Sequence, residues 1–223
     1  LNVKRGADNI AKGPAMTLDE AKKAIAVGIE RLNLAAGAGA TLVATGEMGI
    51  GNTTPAAALY AAYLGLPAGE LAGPGTGLDS EGVAKKAKVI EKALNVNRPR
   101  CTGPLETLAA LGGLEIAGIC GLCLAAAARR IPVVVDGYIS TAGALAAMQI
   151  CPMVKDYMFF SHMSAEPGHR KFFEKENLRP ILDLGMRLGE GTGAAIAMQI
   201  IEDAVAINNE MATFADAGIK PGA

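Results

Sequence analysis

Tryptophan is absent from these 223 residues, aromatic side chains make up only 4%, and histidine occurs twice. So few flat side chains leave little for base stacking, and a formal net charge of −1 removes the basic surface that nucleic acid requires. The two basic tracts, Lys85-Lys86-x-Lys88 and His169-Arg170-Lys171, are interleaved with acids. His162 and His169 are the two imidazoles, and no helix carries the two-histidine zinc pattern. Long apolar runs are also lacking. The longest, around Ile116 to Ala128, falls short of the roughly 20 residues of a membrane span and reads as a buried helix. No secretory signal is expected. Cysteine is sparse, and Cys120-Gly-Leu-Cys123 has metal or redox spacing but no second pair, so buried reduced thiols compete with that role. The expectations are a cytoplasmic protein that holds no metal and needs no cofactor, with neither nucleic acid nor membrane as partner.

What is abundant is core material: 51% of the residues are hydrophobic and 19% charged, enough for one sizeable α/β domain over residues 1–223. Thr17-Leu-Asp-Glu20 is a capping-box start for a helix to about Leu34. Three β-branched or aromatic runs, Thr41–Thr45, Pro132–Asp136 and Tyr157–Ser161, read as strands. Helical composition follows at Pro55–Leu64, Ser80–Leu94, Pro104–Leu111, Leu114–Arg130, Gly137–Gln149 and Ala194–Met211. In the last of these, Ile196, Ile200, Ile201, Val205 and Ile207 supply apolar faces. The alternation implies a three-layer, Rossmann-like parallel sheet flanked by helices, with ligands beyond the carboxyl ends of the strands.

Two glycine-rich turns stand at such helix starts, each carrying a glutamate. The first is Gly46-Glu-Met-Gly-Ile-Gly-Asn-Thr-Thr54, where Thr54 would cap and Pro55 would open the helix. Unhindered glycines ahead of a helix amino end present N–H groups and a positive dipole to an anion. The spacing nearly matches a nucleoside-triphosphate loop, but Asn52 stands where lysine is needed, so a single phosphate with a lysine from elsewhere fits better. A purely structural tight turn would use the same glycines. In the second turn, Gly189-Glu-Gly-Thr-Gly193, the flanking glycines leave Glu190 reachable. The dipole there favours its carboxylate, while Leu184, Met186 and Leu188 would favour the acid; together they leave a usable base near neutrality. A charge that merely decorates a helix start is the plainer alternative.

Asp136 ends the second strand and precedes Ser140-Thr-Ala-Gly143, which resembles the pyrophosphoryl-ribose loop of the common phosphoribosyltransferases. Gly137 replaces that signature's second acid, which removes support for a magnesium-bound diphosphate. A turn-forming aspartate bonded to nearby amides is the alternative.

Taken in order, Gly46 to Thr54, Gly73-Pro-Gly-Thr-Gly77 with Lys85-Lys86, Asp136-Gly-Tyr-Ile-Ser-Thr141, Ser161-His-Met-Ser-Ala-Glu-Pro-Gly-His169 and Leu188-Gly-Glu-Gly-Thr-Gly193 resemble the nicotinate-nucleotide:dimethylbenzimidazole phosphoribosyltransferases, the CobT family. The likeness runs the length of the chain, which is short at its amino end relative to the family. It implies transfer of phosphoribose from nicotinate mononucleotide to 5,6-dimethylbenzimidazole in cobalamin nucleotide-loop assembly, by a homodimer. It also implies Glu190 as catalytic base and Glu47 and Lys86 at the ribose phosphate site. Gly49, Gly51, Asn52, Thr53, Thr54, Asp136, Ser164, Gly168 and Leu188 are then further substrate contacts. Two other functions fit the same residues: a mononucleotide- or phosphate-binding module with little turnover, and a nucleotide hydrolase using the near-miss loop.

Overall fold

Thr17 starts the first helix as its sequence predicts. Its hydroxyl accepts the Glu20 N–H at 3.2 Å, and the Glu20 carboxylate returns the bond to the Thr17 N–H at 2.9 Å. The structure, a computed structural model, describes residues 1–218. The chain runs α1 (Leu18–Gly37), β1 (Val43–Ala44), α2 (Thr53–Leu64), α3 (Ala68–Leu71), α4 (Ser80–Asn97), α5 (Pro104–Leu111) and α6 (Leu114–Ala128). It continues through β2 (Val133–Val135), α7 (Tyr138–Ile150), β3 (Met158–Phe160), α8 (Pro167–Glu176) and α9 (Thr192–Glu210). The molecule is mostly helical around one small parallel sheet of order β1-β2-β3, with Val43 paired to Val133 and Val134 to Phe159.

Strand alternation sorts the sheet's two faces. Val133 and Val135 join the main core with α2, α6 and α7, while Val134 packs on Ala194 and Ala197 of α9. Small residues set the helix spacing. A Cβ on Gly28 of α1 would lie 1.8 Å from the Gly118 carbonyl, and one on Gly121 of α6 would lie 2.0 Å from that of Ile25. Backbones in direct contact explain why these helices tolerate so little side-chain bulk there. Five of the nine tyrosines and phenylalanines gather in one place: Tyr60 stacks on Tyr138 at 4.8 Å, Phe160 lies against Phe172, and Phe172 and Phe173 of α8 close around His169. That cluster lies directly behind the turn after β2.

Helix starts near the site differ from expectation. Helix α2 opens two residues early, with Asn52 rather than Thr54 at the cap position and Pro55 at its third position. Proline fits there because the first four helical N–H groups have no partner within the helix. Part of the expected polar loop 162–169 belongs to α8, which starts at Pro167. Helix α9 buries only Gly193, Ala194 and Ala197, and Ile196, Ile200, Val205 and Ile207 of its apolar faces are exposed. Cys120 and Cys123 are buried and free, and burial pushes both thiols up, Cys123 to about 12. Thiols so disfavoured as thiolates are poor nucleophiles and poor ligands.

Candidate active site

The two glycine-rich turns, more than a hundred residues apart in sequence, lie backbone against backbone. The Glu190 N–H donates to the Glu47 carbonyl at 2.8 Å. A Cβ on Gly189 would lie 2.8 Å from that same carbonyl oxygen, and one on Gly46 would lie 2.9 Å from the Gly191 nitrogen. Glycine is thus required on both sides of the seam. Glu190 itself has φ of +58°, flanked by Gly189 and Gly191 at +78°. A left-handed non-glycine residue costs on the order of 1 kcal/mol, so the surrounding bonds must hold it there.

Beside the seam opens a cavity of about 440 Å³ at the carboxyl ends of the strands. Of the residues expected from sequence, Glu47, Gly49, Thr53, Asp136, Ser164 and Leu188 line it. Gly51, Asn52, Thr54, Lys86, Gly168 and Glu190 do not. Asn52 is buried and donates to the Glu115 carboxylate at 3.3 Å. Gly51 is exposed at φ +79° and Thr54 is half-buried in the first turn of α2. Gly168 packs against the Tyr138 hydroxyl and the Leu71 carbonyl. The Glu190 side chain is exposed, and its expected apolar surroundings are open too, with Leu184 and Leu188 at 64% and 66% exposure.

One end of the cavity suits an anion. Asn52 makes no side-chain cap, so the first amides of α2 are left to a ligand. Lys86 reaches this end from α4: it is 7% exposed and donates to Thr53 Oγ1 at 2.7 Å and the Gly73 carbonyl at 3.0 Å. Both partners are neutral oxygens. Burial lowers its pKa, against a smaller raising effect of Glu166. Such a desolvated ammonium is better matched once an anion arrives. Glu47 folds back so that its carboxylate accepts the Gly49 N–H.

Three residues enter that sequence reasoning did not assign. Glu166 lines the cavity, accepts the Gly75 N–H at 2.8 Å and so ties the loop before α4 to the start of α8. Its position as an acid just before Pro167 was the only sequence signal. His169 is fully buried: the Ser164 N–H donates to its Nδ1 at 2.9 Å, and its Nε2 lies 3.0 Å from Thr141 Oγ1. The first bond requires an unprotonated Nδ1, so the proton is on Nε2 and points to Thr141. Burial, with a smaller contribution from His162, pushes the His169 pKa down to about 3. His162 lies beside Asp136, Nδ1 to Oδ1 3.6 Å, and beside Ser161 Oγ at 2.9 Å. Desolvation lowers its pKa, partly offset by the Asp136 charge.

Asp136 is 2% exposed at the end of β2. Its Oδ2 accepts the Gly191 N–H at 3.0 Å and its Oδ1 the Ala194 N–H at 3.1 Å. Its own N–H donates to Thr45 Oγ1 at 3.1 Å, and its carbonyl accepts from Thr141 Oγ1 at 3.2 Å. Among the described residues, no group of three or more His, Cys, Asp or Glu is arranged to hold a metal ion. No helix among them is long and apolar enough to cross a membrane.

An uncapped helix start served by a buried lysine, beside a glycine-flanked exposed carboxylate at the carboxyl end of a parallel sheet, is an arrangement with the chemistry to receive an anionic ligand. The chain belongs to the phosphoribosyltransferase family, whose model matches residues 1–219. It is 58% identical over 218 residues to the nicotinate-nucleotide–dimethylbenzimidazole phosphoribosyltransferase of Chlorobaculum tepidum, and 55% identical over 220 residues to that of Geobacter metallireducens. These alignments cover 98% and 99% of this chain and 62% of each relative. The crystal structure of CobT from Thermus thermophilus superposes with a TM-score of 0.94 at 47% identity, covering 99% of this chain and 66% of that one. The chain therefore spans less than two thirds of the length of these relatives.

Proposed function

We propose that this chain transfers phosphoribose from nicotinate mononucleotide to 5,6-dimethylbenzimidazole or a related base, giving α-ribazole 5′-phosphate and nicotinate in cobalamin nucleotide-loop assembly. The observation that carries the reading is the backbone seam between the Glu47 and Glu190 turns beside an anion-binding helix start. Gly49, Gly51, Asn52, Thr53, Thr54, Lys86, Ser164 and Gly168 form or support the phosphate and ribose end. Met48 and Leu188, both at the cavity and 61% and 66% exposed, offer apolar surface to an aromatic acceptor.

In the reaction an acceptor nitrogen attacks the anomeric carbon from the face opposite the pyridinium. The carbon–nitrogen bond to nicotinate breaks with its electron pair going to the ring nitrogen, and configuration inverts from β to α. That leaving group departs as a neutral ring and needs no acid. The acceptor's other nitrogen becomes acidic as the new bond forms, and Glu190 takes its proton. Glu47, which lines the cavity, is assigned to steady positive charge growing on the ribose. The monophosphate is held by α2 amides and Lys86 without metal. The three-strand sheet, with the main core on one face and α9 on the other, is read as the centre of a three-layer, Rossmann-like single domain. It works in the cytoplasm as a homodimer.

Release of nicotinate, followed by chromatography with dimethylbenzimidazole present, tests the proposal. Glu190→Gln should keep the fold and mononucleotide affinity while lowering turnover by about two to four decades. Unchanged turnover in that variant removes Glu190 from the role. A second reading, a mononucleotide-binding module with little turnover, is favoured by the exposure of Glu190 and Leu188. Binding without nicotinate release would select it.

A further inference from the structure

Helix α1 carries its own capping box, but α9 has glycine at the cap, Gly191, and alanine at the third helical position, Ala194. Neither residue can cap. A capping box satisfies two amides, that of the cap and that of the third helical residue. In α9 both are taken by one carboxylate from strand β2: Asp136 Oδ2 accepts from Gly191 and Oδ1 from Ala194, at 3.0 and 3.1 Å. The aspartate is in turn gripped by Thr45 and Thr141 through its backbone, and the His162 ring fills the space above Gly193.

The consequence falls on Glu190, the residue immediately before the cap. The amide on one side of its α-carbon is held by Glu47 and the amide on the other by Asp136. Those two bonds fix the direction in which a left-handed glutamate projects. We propose that Asp136 is a positioning residue that clamps the Glu190 turn, acting through the Gly191 and Ala194 amides rather than through substrate. The catalytic half of this inference rests on the proposed function; the clamp itself does not.

Asp136→Asn keeps the shape but presents an NH₂ to one of two N–H donors, so one clamp bond is lost. Amide hydrogen exchange followed by NMR on the whole chain should find Gly191 and Ala194 both protected in the parent protein and one of the two freed in the variant, with β2 amides still slow. Nicotinate release should show kcat lowered about a hundredfold, as expected for a displaced base, with KM for the mononucleotide near the parent value. Rapid exchange of Gly191 and Ala194 in the parent protein would overturn the clamp, and so would a variant that raises KM at unchanged kcat, or changes neither constant. A parent chain without turnover would count against the proposed function alone, and the exchange pattern would then decide the clamp. The same parent pattern decides it if Asp136→Asn does not fold.

Discussion

His169 should make this protein acid-sensitive well above the range where carboxylates titrate. The native pKa is pushed from the ordinary 6.5 to about 3, by burial first and by His162 second. An unfolded chain therefore binds a proton at this ring below pH 6.5 that the native state refuses until about pH 3. Stability from this residue is complete above 6.5 and lost as pH falls, at about 1.4 kcal/mol per unit. At about pH 5 the loss is roughly 2 kcal/mol, a large part of a typical margin of about 5–15 kcal/mol. The geometry gives the molecular reason. Protonating Nδ1 would point an N–H at the Ser164 N–H, which now donates to it at 2.9 Å. Urea midpoints at about pH 7 and pH 5 measure the slope in the parent protein and in His169→Asn. Asparagine Oδ1 can still accept from Ser164, so the variant keeps one bond and loses the titrating ring. It should be less stable at neutral pH but flatter in its response to acid. The sequence has two histidines, and His162 remains in both proteins, so the difference isolates His169. An identical fall in the two proteins would refute the argument.

Two further outcomes follow from named contacts. Gly28→Ala places a methyl 1.8 Å from the Gly118 carbonyl and should cost about 3 kcal/mol by forcing α1 off α6, whereas Gly118→Ala, whose methyl would meet nothing nearer than 3.8 Å, should be neutral or gain up to about 1 kcal/mol. Chemical denaturation of the pair checks both signs. Lys86→Gln retains a donor for the Gly73 carbonyl but removes the charge at Thr53, so nicotinate mononucleotide affinity by calorimetry should weaken by about ten- to a hundredfold with the fold kept.

The strands were legible because each is a short β-branched or aromatic run ended by turn residues, and helix α1 because both halves of its capping box are local. Helix α3, of four residues, is too short to show a period, and the start of α8 merges with a polar loop because Glu166 offers no side-chain cap. The apolar pattern of α9 marked a helix but did not say whether its apolar face would be covered, and Ile196, Ile200, Val205 and Ile207 are exposed. Periodicity reports that a face is apolar, while its burial depends on what stands opposite. Local composition was enough to mark both glycine-rich turns, since unusual backbone geometry must be encoded where it occurs.

Assigning what the acids do required distance in space. Asp136 meets Gly191 and Ala194 across 55 and 58 positions, and Glu166 meets Gly75 across 91. An acid at a strand end has the same sequence signature whether it grips a sugar hydroxyl, a metal or a neighbouring helix. Only the identity of the amides it faces separates these cases, and for Asp136 they belong to the turn that carries Glu190. A carboxylate displayed at positive φ on a glycine-flanked turn would otherwise sample many directions. The turn's openness therefore draws on rigidity imported from β2, which is why glycine can occupy the cap position where α9 would ordinarily cap itself.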